Sequence, residues 1–358
     1  MPWLFYDDRI YFEAIYPLLI MSLLALCRKV VSGMENYSRI EELQEQRQAF
    51  LQKLGMLPAS CPLDVQVEER YSAEGYTRER ISYATSPGVR VPAYVLTPDR
   101  LTRKAPAVVC IHQHKGEYHL GKSEPVGITG DPNMFYALEL CQRGYIAIVP
   151  DQEGFEDRRA SEADKSRWSQ STQHIIENDG YEKFLAMRYL MQGSTLQARY
   201  VWDLARAVDY LSTRSDVDAE RIGTLGHSLG GQEVCWLLLF DTRVKAGVCS
   251  CGIGTFETIF RDGVNHNFAA YTPGFLTVGD MDLFISTLAP TPLLLTAGTQ
   301  DRIFPIDGVQ QIAQAATLAY EKAARPDAFR LHTFVAGHSF SVEIRAEAYT
   351  WLDRWLKS

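Results

Sequence analysis

From residue 106 onward the chain alternates short apolar runs with longer stretches whose apolar residues recur at helical spacing. The runs cover 107–112 (AVVCIH), 145–150 (YIAIVP), 221–226 (RIGTLG), 244–250 (VKAGVCS), 292–298 (PLLLTAG) and 329–335 (FRLHTFV). Apolar runs of this length suit strands buried on both faces, as in parallel sheets covered by helices. The spans between them predict helices at 131–143, 195–214, 229–240, 306–323 and 340–357, the first introduced by Asp131 and Pro132. Upstream, residues 63–72, 76–85 and 90–97 alternate in polarity and are parted by Gly75 and by Pro87-Gly88, a pattern of antiparallel strands. The expected fold is α/β: a doubly wound, mostly parallel sheet with an antiparallel entry.

Two stretches break the alternation. Residues 152–194 mix charged and aromatic residues with weak helical signals, and 251–290 are rich in glycine. Both follow strand C-terminal ends, where open α/β sheets bind ligands, so they read as cap-like, pocket-forming insertions. At the other end, 36–54 predicts an amphipathic helix closed by Gly55, with Leu43, Phe50, Leu51 and Leu54 on its apolar side. The expected organisation is a helical extension over 1–55 and one domain over 56–358.

Residues 14–27 form an apolar run shorter than the ~20 residues a spanning helix needs. Asp7, Asp8 and Glu13 precede it where a signal peptide wants positive charge, and Met34 opens a second conventional start. A packed or peripheral segment in a cytoplasmic protein is therefore favoured over membrane contact or export.

Charge narrows the partners. Against 36 Lys and Arg stand 44 Asp and Glu, a net charge of −8, with no basic stripe to neutralise phosphates, which excludes nucleic acid as the main partner. The seven cysteines are odd in number and mostly embedded in apolar runs, so buried free thiols in a reducing compartment are expected. Cys249 and Cys251 form a lone C-x-C without a second pair at zinc spacing, and read as packing.

The chemistry concentrates at Gly226-His227-Ser228-Leu229-Gly230-Gly231, between a buried-strand run and a helical run. G-x-S-x-G in that setting makes a cramped turn that lifts the serine Oγ above the sheet at a helix N-terminus. A serine hydroxyl is a weak nucleophile, so a base and an orienting acid must accompany it. Asp301 directly follows the run 292–298 and His338 follows 329–335, giving the order Ser228, Asp301, His338. Asp280, Asp282 and Asp307 lie nearby in sequence, but none immediately follows a strand.

Oxyanion donors are expected from the backbone N–H of Leu229 and from the loop after 107–112, at His114 or Gln113. A metal at His112 and His114 is disfavoured for want of a third ligand at suitable spacing. Asp151, Glu153, Glu156, Asp157 and Arg158 form either a solvated loop face, the favoured reading, or a pocket wall. Trp168, Tyr181, Phe184 and Tyr189 offer aromatic faces suited to an acyl or sugar pocket, though Tyr181, Phe184 and Tyr189, at near-helical spacing, read first as cap core.

Several of these segments together resemble a known family. His112-Gln113-His114-Lys115-Gly116 with Leu120-Gly121-Lys122-Ser123-Glu124, Gly193-Ser194-Thr195 leading into Val201-Trp202-Asp203, and Asp216-Val217-Asp218 are similar to the dienelactone-hydrolase-like and acetyl xylan esterase-like branch of the α/β-hydrolases. His266-Asn267 followed by Pro273-Gly274 adds to the likeness, which covers roughly 60–358. The resemblance implies the α/β-hydrolase fold and hydrolysis of carboxylic esters without metal or organic cofactor. True dienelactone hydrolases use a cysteine nucleophile, so Ser228 shifts the expectation toward ester cleavage. The aromatic and polar mixture of 251–290 suggests a short acyl group on a polar alcohol, such as a small-molecule or carbohydrate ester. A peptidase or amidase on the same triad and a non-catalytic binding protein are the competing readings. The first would usually carry a large extra domain, and the second has no need of an intact triad.

Overall fold

A computed structural model describes residues 42–172 and 176–357. Gln46–Ser358 forms one compact unit. Its centre is a nine-stranded sheet in the order β1-β2-β3-β5-β4-β6-β7-β8-β9. The first three strands, β1 (Gln66–Ala73), β2 (Tyr76–Ser86) and β3 (Val89–Pro98), pair antiparallel. Beyond them β4 (Ala105–Ile111), β5 (Ile146–Pro150), β6 (Val217–His227), β7 (Val244–Ser250), β8 (Leu293–Gly298) and β9 (Phe329–Phe334) run parallel to one another. β4, β5 and β8 are buried at every position, as strands covered on both faces must be. The sequence expectation for the sheet holds, including its antiparallel entry.

The helices are α1 (42–53), α2 (Tyr136–Gln142), α3 (Glu162–Thr172), α4 (Asp179–Met191), α5 (Leu196–Thr213), α6 (Leu229–Phe240), α7 (Phe256–Arg261), α8 (Met281–Ser286), α9 (Ile306–Lys322) and α10 (Val342–Leu356). The helix expected at 131–143 is shorter: Asp131 caps a single 3-10 turn, Pro132–Met134, and α2 starts afresh at Tyr136. Phe50 is fully buried, with ring centroids 4.8 Å from Phe275 and 5.2 Å from Phe284. The end of the predicted extension is thus part of the sheet-covering core. The apolar run 14–27 lies outside the described residues, among which no helix is long and apolar enough to cross a membrane.

Six cysteines, Cys61, Cys110, Cys141, Cys235, Cys249 and Cys251, are free, and all but Cys61 are buried. The insertion 152–194 supplies α3 and α4, where Trp168 packs on Phe184 and Tyr181 at centroid distances of 5.4 and 5.9 Å. These aromatics build the insertion's own core.

Candidate active site

Ser228 sits between β6 and α6 with φ 57° and ψ −121°, a backbone conformation that a side-chain-bearing residue holds only when its surroundings impose it. The flanking glycines explain how the turn fits: a Cβ on Gly226 would stand 2.3 Å from the Gly230 carbonyl. Ser228 N–H donates to the Ser250 carbonyl at 2.9 Å, which fastens the turn to the end of β7. Leu229 opens α6, so its N–H is one of the helix's unpaired first-turn donors.

Asp301 and His338 come from the loops after β8 and β9. His338 Nδ1 lies 2.8 Å from Asp301 Oδ2. The other carboxylate oxygen, Oδ1, accepts from the N–H groups of Ile303 at 2.8 Å and Phe304 at 3.2 Å, so the acid is fixed before it meets the imidazole. Asp280 is engaged otherwise, accepting from the N–H groups of Phe256, Glu257 and Met281. Asp282 accepts from Leu283 N–H, and Asp307 pairs with Arg261 on the surface.

A cavity of about 540 Å³ gathers the predicted residues Gln113, His114, Ser228 and His338 on one wall. Asn265, His266, Asn267 and Phe268 of the second insertion face it, as do Asp179, Glu182 and Lys183 of α4. A second pocket of about 20 Å³, room for one water-sized group, shares His266 with it and is lined by Phe256, Phe275, Trp236 and Phe304. Phe260 and Asp262, also within the mixed aromatic and polar stretch 251–290, are exposed and line neither.

The loop after β4 is held from within. Gln152 N–H donates to His112 Nε2 at 3.1 Å, so His112 Nδ1 carries the proton toward the Gln113 carbonyl at 2.9 Å. Burial lowers the His112 pKa to about 4, keeping the ring neutral. Gln113 Nε2 donates to Glu124 at 2.9 Å. His227, tilted against His338 at 4.7 Å between ring centroids, is likewise held well below the usual histidine range by burial and by that neighbour.

The acidic run after β5 corrects both sequence readings. Asp151, Glu156 and Asp157 face neither solvent alone nor the cavity; each accepts from the buried Lys122 ammonium, at 2.8, 2.6 and 2.6 Å. Burial opposes the charge on Lys122, but Asp151 and Glu156 outweigh it and raise its pKa. Arg158 pairs with Asp203 on α5 at 2.8 Å. The three carboxylates form a metal-like cluster whose centre an ammonium already fills. The second such cluster is Cys251 with Asp301 and His338, their ligand atoms within 4.8 Å of one another. Burial and the Asp301 charge push the Cys251 thiol up to about 12, so it stands by the dyad as a protonated thiol. The C-x-C reading as packing carried no hint of that position, because only the sheet brings β7 beside β8.

Sequence reasoning also missed Glu182 and Tyr118. Glu182 lies in a weakly amphipathic stretch with no motif, and its partners come from two distant segments, the loop after β4 and the second insertion.

A mostly parallel sheet, a serine on a strained strand-to-helix turn after β6, and a histidine after β9 bound to an aspartate after β8 define the α/β-hydrolase class. The chain belongs to the Abhydrolase family, whose model matches residues 34–347. YtaP of Bacillus subtilis (strain 168) is 29% identical over 315 residues, covering 87% of this chain and 99% of that protein. The same fold recurs in a glucuronoyl esterase from Solibacter usitatus, with a TM-score of 0.62, 16% identity, and 86% and 91% of the two chains covered. It recurs again in an acetyl xylan esterase from Paenibacillus sp. R4, with a TM-score of 0.58, 19% identity, and 88% and 93% covered.

Proposed function

We propose that the protein is a serine hydrolase cleaving carboxylic esters, with short acyl groups on polar, carbohydrate-like alcohols as its preferred substrates. The observation that carries this reading is the Asp301–His338 hydrogen bond on the cavity that also exposes Ser228. Ser228 Oγ attacks the ester carbonyl while His338 Nε2 takes its proton. The N–H groups of Leu229 and of His114 or Gln113 donate to the oxyanion. The tetrahedral intermediate collapses, and His338 hands the proton to the departing alkoxide. Water then loses a proton to His338, attacks the acyl-enzyme carbonyl and releases the acid, and Ser228 recovers its proton.

The substrate class is supported by the cavity's contents. Asn265, Asn267 and Lys183 offer hydrogen bonds to a polar alcohol, while the small aromatic pocket beside His266 suits a methyl-sized acyl end. The esterase names of the two structural neighbours agree with it. In this reading one hydrolase domain carries 152–194 and 251–290 as its cap and takes in the end of the 1–55 extension, whose Phe50 and Leu54 are buried in the core, in a cytoplasmic protein. The test is kcat/KM across nitrophenyl esters of two to twelve carbons, beside matching anilides and sugar acetates. Acetyl and propionyl esters should lead and anilides should be inert. A maximum at eight or more carbons refutes the short-acyl assignment, and anilide turnover equal to ester turnover refutes esterase chemistry.

A further inference from the structure

We propose that Glu182, on cap helix α4, is a positioning residue that holds the oxyanion loop in its working shape. The inference rests on the serine-hydrolase reading above, but its evidence is a separate set of contacts. The Glu182 side chain is 2% exposed. Its Oε2 lies 2.9 Å from His114 Nε2 and 2.7 Å from the Tyr118 hydroxyl, and its Oε1 accepts from Phe268 N–H at 2.9 Å. One carboxylate thus ties the cap to the loop after β4 and to the second insertion.

The protonation of His114 follows from its neighbours. Gly116 N–H donates to Nδ1 at 3.0 Å, so that nitrogen offers its lone pair and the ring proton sits on Nε2, pointed at Glu182. The ring is fastened at both ends and therefore serves neither as a base nor as a metal ligand. What it fastens is strained: Lys115 has φ 50°, a left-handed conformation that a residue with a side chain keeps only under constraint. Gly116 follows at φ 72°, where glycine is at ease. His114 bridges this left-handed pair, bonding Gly116 with one nitrogen and Glu182 with the other. Without the carboxylate the ring loses its outer anchor and the strained loop can relax, moving the Gln113 and His114 N–H groups away from the oxyanion position.

Tyr118 lies 2.7 Å from both Asp179 and Glu182 and has one proton to give. Its ring stacks on Phe155 at 5.0 Å and meets His114 edge-on at 4.8 Å, so it braces the histidine from the side.

The experiment compares Glu182→Ala, Glu182→Gln and Tyr118→Phe with wild type on nitrophenyl acetate, with kcat expressed per site titrated by a fluorophosphonate. Glu182→Ala should lower kcat by about 30-fold, less than deletion of a whole oxyanion donor. KM should stay within about twofold, because the loop acts on the transition state rather than on ground-state binding. The Ki of a trifluoromethyl ketone, whose adduct carries an oxyanion, should rise in parallel with the loss in kcat/KM. Glu182→Gln keeps an acceptor for His114 and should recover most of the rate. Should the alanine variant fail to fold, Glu182→Gln and Tyr118→Phe still decide the matter, each being expected to show a smaller loss confined to kcat. Unchanged kcat per titrated site, or a loss confined to KM, overturns the proposal. A wild-type protein inert toward every ester, or a Ser228→Ala variant as active as wild type, instead overturns the serine-hydrolase reading on which it stands.

Discussion

Gly230 faces the Ile111 carbonyl so closely that a Cβ at this glycine would stand 2.0 Å from the oxygen. The N-terminus of α6 is therefore seated directly on the C-terminal end of β4. That contact sets the separation between Ser228, two residues earlier, and the loop that begins at His112. The first glycine after the serine is thus a spacer between the two halves of the site.

Substituting it should be costly in a specific way. Gly230→Ala forces a backbone oxygen and a methyl group into one space, so either α6 or the loop 112–116 must shift. We expect ester hydrolysis to fall by at least about a hundredfold, the scale of a lost oxyanion donor, together with a lower Tm. Wild-type kcat/KM in this variant would mean that the nucleophile and the loop are not coupled through this contact.

The carboxylates near the dyad should separate cleanly into chemical and structural roles. Asp301→Asn presents an amide to His338 Nδ1, favours the wrong tautomer and should reduce kcat by about 10⁴ with little effect on Tm. Asp280→Asn should do the opposite, because Asp280 caps the starts of both α7 and α8 with three N–H contacts. Its loss should cost about 1–2 kcal/mol of stability at nearly unchanged kcat. Urea denaturation and steady-state kinetics on the same two proteins check the assignment, and exchanged phenotypes would identify Asp280 as the acid.

Glu233 gives a pH signature in stability. It is fully buried on α6 and bonded only to the side-chain amides of Gln197 and Gln232. Burial raises its pKa to about 8. An unfolded glutamate ionises near pH ~4.3 while the folded one stays protonated, so the unfolded state binds fewer protons in between. Stability should consequently fall as pH rises from about 4 to about 8 and then level off. Glu233→Gln mimics the neutral acid and should flatten that slope, its advantage in urea midpoint growing from pH 5 to pH 8. A constant difference across that range would show that Glu233 is ionised in the fold.

Acyl length should answer to Phe304. Its ring lines the small pocket, lies 4.7 Å from His266 and 5.9 Å from His338 between centroids, and is 5% exposed. Phe304→Ala should open that pocket toward the Ser228 cavity and move the best nitrophenyl ester from acetyl toward butyryl or hexanoyl. An unchanged acyl profile would place the acyl end elsewhere in the cavity.

The sequence alone determined the sheet and its order of chemistry. Apolar runs marked the parallel strands, most clearly β4, β5 and β8, whose every position is buried, and loop residues at strand ends drew attention to Ser228, Asp301 and His338. Local signals of this kind depend only on neighbours in the chain. Tertiary structure decided the rest: that Asp301 meets His338 while Asp280 caps helices, that Lys122 fills the acidic cluster after β5, and that Cys251 lies beside the dyad. It also brought Glu182 to His114, Tyr118 and Phe268 across sequence separations of 68, 64 and 86 residues. No periodicity or motif encodes such contacts, because a buried carboxylate is identified by the donors around it, and those are assembled only when α4, the loop after β4 and the segment around Phe268 fold together.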